Sequence, residues 1–167
     1  EYKNLYADKT VDINNEKVPR TYANLAKIWS NFKVYNYRNE ILKSIINNNL
    51  TLIKAGTGVG KTVLLPKFAL HAVNYNEKVI TTIPKRLITK SSAMFAAETL
   101  DVKIGEEVGY YYQGENKQSN KTKLLYSTTG SLISKLTGND PLLSEYKVVI
   151  IDEAHERSID TDILLML

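Results

Sequence analysis

Residues 51–62 read TLIKAGTGVGKT, and the fold follows from how this stretch changes character along its length. Leu50, Leu52 and Ile53 form a short apolar run that predicts a buried strand. The run breaks at Ala55 into a glycine-rich turn, Gly56-Thr57-Gly58-Val59-Gly60, that ends in Lys61-Thr62. The apolar stretch 63–73 then predicts a helix. Strand, glycine loop and helix in that order are the setting of a phosphate-binding P-loop. Glycines leave backbone N–H groups free to wrap a polyphosphate, and the new helix aims its positive end at the same place. On this reading Gly56, Thr57, Gly58, Val59 and Gly60 cradle the phosphates of a polyphosphate ligand. Lys61 reaches the β- and γ-phosphates, and the Thr62 hydroxyl ligates Mg²⁺. Ala55 stands where such loops ordinarily begin with glycine, but at a strand end a methyl group is tolerated. The competing reading is a glycine turn with no ligand, and it does not require the complete Gly-Lys-Thr ending.

Composition narrows the class. The chain has 167 residues, 43% hydrophobic and 24% charged, which suits one soluble globular domain with a real core. It has no apolar run of about 18 residues, so no membrane span is expected, and its first residues lack an apolar signal segment. The absence of cysteine excludes disulfides and thiolate metal sites and fits an intracellular protein. A net charge of +4 is compatible with a polyanionic partner without demanding one.

Outward from the glycine loop, the chain alternates helix and strand. Residues 1–20 are polar and read as an arm over the surface. Tyr22, Leu25, Ile28, Trp29 and Phe32 recur at helical spacing, and Trp29 suits core packing better than base stacking. A helix is expected over 37–46, with Ile41, Leu42, Ile45 and Ile46 on one face. Strands are expected at 78–83, 108–113, 123–129 and 147–151, and helices at 85–100, 130–136 and from 161 on. Residues 114–122 read as a polar loop. Among Tyr110, Tyr111 and Tyr112, alternating strand packing is the better reading than base stacking. His71 reads as a packed or surface histidine. The alternation implies an α/β fold, three layers around a doubly wound, mostly parallel sheet. Ligands then sit beyond the carboxyl ends of the strands.

The second half of a site lies at such an end. Asp152-Glu153-Ala154-His155 directly follows the apolar run 148–151. Asp152 can hold Mg²⁺ opposite Thr62, and Glu153 can orient or deprotonate an attacking water. Adjacent carboxylates at a strand end repel one another, and a divalent cation with a polyphosphate accounts for them. His155 has no partner His or Cys nearby, so a hydrogen-bonding relay fits it better than metal ligation.

Together, residues 56–62 and Asp152-Glu153-Ala154-His155-Glu156-Arg157 resemble the first RecA-like domain of a DEAH-box RNA helicase of superfamily 2. The resemblance runs from about residue 34 to 167. Residues 35–46 are similar to the helix that precedes the P-loop in that family. Thr82-Ile83-Pro84-Lys85-Arg86 is similar to its nucleic-acid backbone motif, and the 126–132 stretch (YSTTGSL) to its Thr-Asp-Gly element. The resemblance implies a RecA-like P-loop NTPase: 1–33 an N-terminal arm and short helix, and 34–167 the helicase ATP-binding domain. It implies an ATP- and Mg²⁺-dependent translocase on RNA, with DNA as the alternative substrate. It makes Lys61, Asp152, Glu153 and His155 catalytic, Thr62 and Asp152 metal ligands, and Lys85, Arg86 and Thr128 contacts to strand phosphates. Phe95 stands where an arginine commonly packs on the nucleotide base; it can stack there or face the core. Ile83 and Thr129 also depart from the family pattern, at the common glutamine and acidic positions. The family's Ser-Ala-Thr motif and second RecA-like domain do not occur within 167 residues, so this stretch alone is expected to bind nucleotide weakly, hydrolyse little and unwind nothing. The non-enzyme alternative is a P-loop scaffold, which has no need of Lys61, Thr62, Asp152 and Glu153 together.

Overall fold

Residues 27–138 and 140–166 are described by the structure, a computed structural model. The elements are α1 Arg38–Asn47, α2 Lys61–Ala72, β1 Lys78–Ile83, α3 Arg86–Leu100, β2 Val108–Tyr112, β3 Glu115–Lys117, β4 Leu124–Thr128, α4 Thr129–Leu136, β5 Tyr146–Ile151 and α5 Ile159–Met166. Short 3-10 turns occupy Lys33–Tyr37 and Ala154–Glu156. The strands form one sheet in the order β3-β2-β4-β1-β5. The pairs β2–β4, β4–β1 and β1–β5 are parallel, and β2–β3 alone is antiparallel.

Period-two alternation splits the strand side chains between two cores. Val79, Ile83, Tyr110, Leu124 and Tyr126 face α2 and α3, where Ala69, Leu70, Ala93, Ala96, Ala97 and Leu100 meet them. Ile80 and Leu125 face the other way, onto Leu132 of α4 and Leu164 of α5. Helices on both faces of a mostly parallel sheet give the expected three-layer, RecA-like architecture. A third cluster joins Trp29, Tyr35, Ile41 and Leu42 to Leu64 and Phe68 of α2. Trp29 is fully buried there, edge-on to Tyr35 with ring centroids 5.6 Å apart, so it is a core residue and not a base platform.

Several expectations are corrected. The run at 50–53 forms no strand: Leu50 is 87% and Leu52 91% exposed, and only Ile53 packs, against the Trp29 cluster. A strand persists only where a neighbour takes its N–H and C=O groups, and β5 is the edge of the described sheet, so no partner ladder reaches this segment. For the same reason the apolar run before Asp152 is only half-buried, with Val149 exposed. Ile46 lies off the buried face of α1, which Ile41 and Leu42 fill. The expected polar loop 114–122 contains β3, joined to β2 by the two-residue turn Gln113-Gly114. Gly114 supplies the φ of +103° that this turn needs, and an edge strand does not require apolar residues. Residues 22–26 of the helix expected at 22–32 lie outside the described residues; of the rest, 27–29 are helical and 30–32 form a turn. The expected arm, 1–20, also lies outside them.

Candidate nucleotide site and its neighbours

The glycine loop is folded against α2 and closed from outside. Gly60 caps α2 at φ +94°, in the left-handed region. A Cβ at that position would sit 2.6 Å from the Phe32 side chain. Beside it the Val34 N–H donates to the Val59 carbonyl at 3.2 Å, so the segment 32–34 straps the loop. Gly58, at φ +71°, is surrounded by open space, as is Gly56. Backbone in the loop is therefore exposed to an approaching anion. The Lys61 ammonium donates to the Ala55 carbonyl at 2.9 Å and the Gly56 carbonyl at 2.6 Å, which turns it across the loop mouth.

The central contact joins positions 90 residues apart in the chain: the Thr62 hydroxyl donates to Asp152 Oδ2 at 2.6 Å. β5 delivers Asp152, whose N–H still continues the ladder to the Thr82 carbonyl at 3.3 Å. Asp152 is buried, and its Oδ1 accepts the Glu153 N–H at 2.9 Å. Glu153 turns into the left-handed region at φ 54° and half-buries its side chain. His155 is largely exposed, with Nε2 3.4 Å from Glu153 Oε2. Two hard oxygen donors, a hydroxyl and a carboxylate, stand side by side at the mouth of the glycine loop. Among the described residues, no three His, Cys, Asp or Glu side chains converge as a metal-binding group.

One support was not legible in the sequence. Pro66 lies inside α2 and has no N–H for the Thr62 carbonyl one turn back. The Tyr126 hydroxyl of β4 donates to that carbonyl at 3.5 Å. Tyr126 is fully buried, and burial, then the nearby Asp152 charge, pushes its phenol upward.

The other expected site residues are dispersed around this centre. Lys85 and Arg86 are exposed where α3 begins, and Arg86 Nη2 donates to Gln113 Oε1 at 3.3 Å. Ile83 pairs with Thr128, so the turns leaving β1 and β4 are neighbours at the carboxyl end of the sheet. The Thr128 hydroxyl is buried and shares a 2.8 Å hydrogen bond with Ser131, so it is not displayed for a ligand in this conformation. Phe95 lies on the outer side of α3, 37% exposed, and is not a core residue. His71 is buried, its Nδ1 3.2 Å from the Tyr75 hydroxyl, and is a packed histidine.

Comparisons with known proteins show the family. The family model described as DEAD/DEAH box helicase matches residues 35–161. A protein of Acanthamoeba polyphaga mimivirus named as an ATP-dependent RNA helicase is 44% identical over 156 residues, covering 92% of this chain and 22% of the relative. The ATP-dependent RNA helicase HrpA of Borreliella burgdorferi is 40% identical over 134 residues, 79% of this chain and 16% of that protein. The chain thus spans about a fifth of the length of these relatives. With a glycine loop and an acidic strand end joined by the fold, and the match extending over most of its length, the chain belongs to the DEAD/DEAH box helicase family.

Proposed function

We propose that this chain is the ATP-binding domain of an RNA helicase of the DEAH type. In this reading residues 34–167 form the first of two RecA-like domains, and 1–33 precede it as an arm and short helix. The observation that carries the reading is the bond from the Thr62 hydroxyl to Asp152, which unites the phosphate loop with the acidic strand end. Residues 56–60 wrap the phosphates of ATP with their N–H groups. Lys61 leaves the Ala55 and Gly56 carbonyls for the β- and γ-phosphates, exchanging two neutral acceptors for anionic ones. Thr62 and Asp152 hold Mg²⁺, which supplies positive charge against the phosphates when bound. Glu153 positions the water that attacks the γ-phosphate in line, and His155, beside it, relays its state toward the strand of RNA. Phe95, exposed on α3, stacks on the nucleotide base. Lys85, Arg86 and Thr128 line the path of the RNA backbone, where contacts are sequence-independent and salt-sensitive. Thr128 reaches a phosphate by giving up its bond to Ser131. DNA is the alternative strand, and a non-catalytic scaffold the alternative role.

The test is ATP hydrolysis by the full-length protein with RNA and DNA oligomers of equal length. RNA stimulates more than DNA, and Glu153→Gln lowers turnover about a hundredfold or more while nucleotide still binds. Unchanged turnover in Glu153→Gln would favour the scaffold role, and preferential stimulation by DNA would reassign the substrate.

A further inference from the structure

Away from the nucleotide, three donors converge on one carboxylate. Glu115 opens β3, and the Lys90 ammonium donates to its Oε1 at 2.8 Å and its Oε2 at 3.2 Å. The Tyr110 hydroxyl donates to Oε1 and the Tyr112 hydroxyl to Oε2. The two tyrosine rings are stacked, 5.8 Å apart and 17° from parallel, so the hydroxyls are presented as a pair. Lys90 Nζ also lies 5.5 Å from the Tyr110 ring centroid. The Lys90 ammonium and then the two hydroxyls hold the Glu115 carboxyl down at about 2, so it stays ionised through the working range of any neutral-pH enzyme.

An exposed ion pair of this kind adds little to stability by itself. Its placement has another consequence. Lys90 lies one helical turn beyond Arg86 on α3, and Glu115 two residues beyond Gln113 on the hairpin. Helix and hairpin are therefore laced by two rungs, Lys90–Glu115 and Arg86–Gln113. The outer rung is a single exposed bond between an amide oxygen and a long flexible side chain. The inner rung is charged and multiply bonded. Gly114, between Gln113 and Glu115, has open space around it, so beyond the β2–β3 pairing that closes the hairpin the two rungs are what tie the turn to α3.

We propose that Glu115 is a positioning residue for single-stranded RNA: it pins the β2–β3 turn to α3 and so holds Gln113 Oε1 where it orients the Arg86 guanidinium toward a strand phosphate. This rests on the reading of Arg86 as a phosphate contact. Gln113 occupies one of the five guanidinium donors and leaves a fork for two phosphate oxygens. Without Glu115 the hairpin keeps its own pairing but loses its charged tie to α3, and RNA must order Gln113 and the arginine on binding.

The experiment measures binding of a fluorescent oligouridylate to the full-length protein by anisotropy, with Mg-ADP affinity measured on the same samples. R86A weakens RNA binding. E115A and Q113A each weaken it by about three- to tenfold, and neither adds to the loss in an R86A background. Mg-ADP affinity is unchanged throughout, which separates positioning from general damage to the fold. Equal losses from E115A in the wild-type and R86A backgrounds would overturn the proposal. So would an E115A or Q113A variant that binds RNA normally while R86A does not. Normal RNA binding by R86A would instead remove the reading of Arg86, and the positioning role with it.

Discussion

Lys67 is fully buried in α2, its ammonium donating to Thr99 Oγ1 at 2.7 Å and lying 5.5 Å from the Trp29 ring centroid. Burial lowers its pKa from 10.5 to about 7, because the charged form is poorly solvated there. The unfolded chain keeps the ordinary value, so between about 7 and 10.5 the folded chain binds fewer protons than the unfolded one. Stability attributable to this residue therefore rises with pH across that window; below about 7 the penalty of a buried ammonium is present in full. Lys67→Met keeps the apolar stem and removes the charge. We expect the rise in chemical-denaturation stability between pH 7 and 10 to flatten in the variant; a rise of the same size would show that another group titrates. Nothing in the sequence distinguishes Lys67 from a surface lysine, because its burial is set by the Trp29 cluster folding over α2. The opposite holds for Thr62 and Asp152. Each is marked by its own local pattern, a glycine loop and an apolar run ending in acid, so both were legible, although their 2.6 Å contact was not.

At the scale of elements, α2 shows how a helix carries a proline close behind the glycine loop. Pro66 removes one backbone bond, and the Tyr126 hydroxyl meets the carbonyl that is left. Tyr126→Phe is expected to cost about 0.5–1.5 kcal/mol of stability, at the lower end for a bond of this length. Pro66→Ala restores a helical N–H to the Thr62 carbonyl, so the cost of Tyr126→Phe shrinks in that background. An equal cost in both backgrounds, by denaturant titration, would mean that the hydroxyl does not serve that carbonyl. Element types came readily from periodicity: β1 and β4 alternate cleanly between two cores. Helix α3 was legible as a helix but not in its orientation. Its buried face is made of Thr89, Ala93, Ala96 and Ala97, while Leu87, Ile88 and Met94 point outward. Small residues let the helix lie close to the sheet, and hydrophobicity alone does not report that. β3 was missed because Glu115, Asn116 and Lys117 form an edge strand held by its turn and its pairing, with no apolar signature.

For the whole molecule, the parallel order β2-β4-β1-β5 sets the carboxyl ends of β1, β4 and β5 along one edge, where the chain turns toward Arg86, Thr128 and Asp152. That is why residues scattered through the sequence gather on one side of the sheet. The exception is the segment that defined the reading. Residues 50–56 have no regular structure, because strand formation depends on a neighbour that a local apolar run cannot specify. The glycine loop nevertheless keeps its shape, held by Phe32 and Val34 on one side and by α2 on the other. Among the described residues no helix is long and apolar enough to cross a membrane.

In the proposed function, Lys61, Thr62 and Asp152 form a magnesium-nucleotide site. Calorimetric titration of ADP and a non-hydrolysable ATP analogue, with and without Mg²⁺, tests it most directly, on this chain and on Lys61→Ala. We predict binding that requires Mg²⁺ and falls by about tenfold or more in Lys61→Ala, the loss expected for a charge-assisted phosphate contact. Binding of equal strength in both proteins, or binding indifferent to Mg²⁺, would contradict the account.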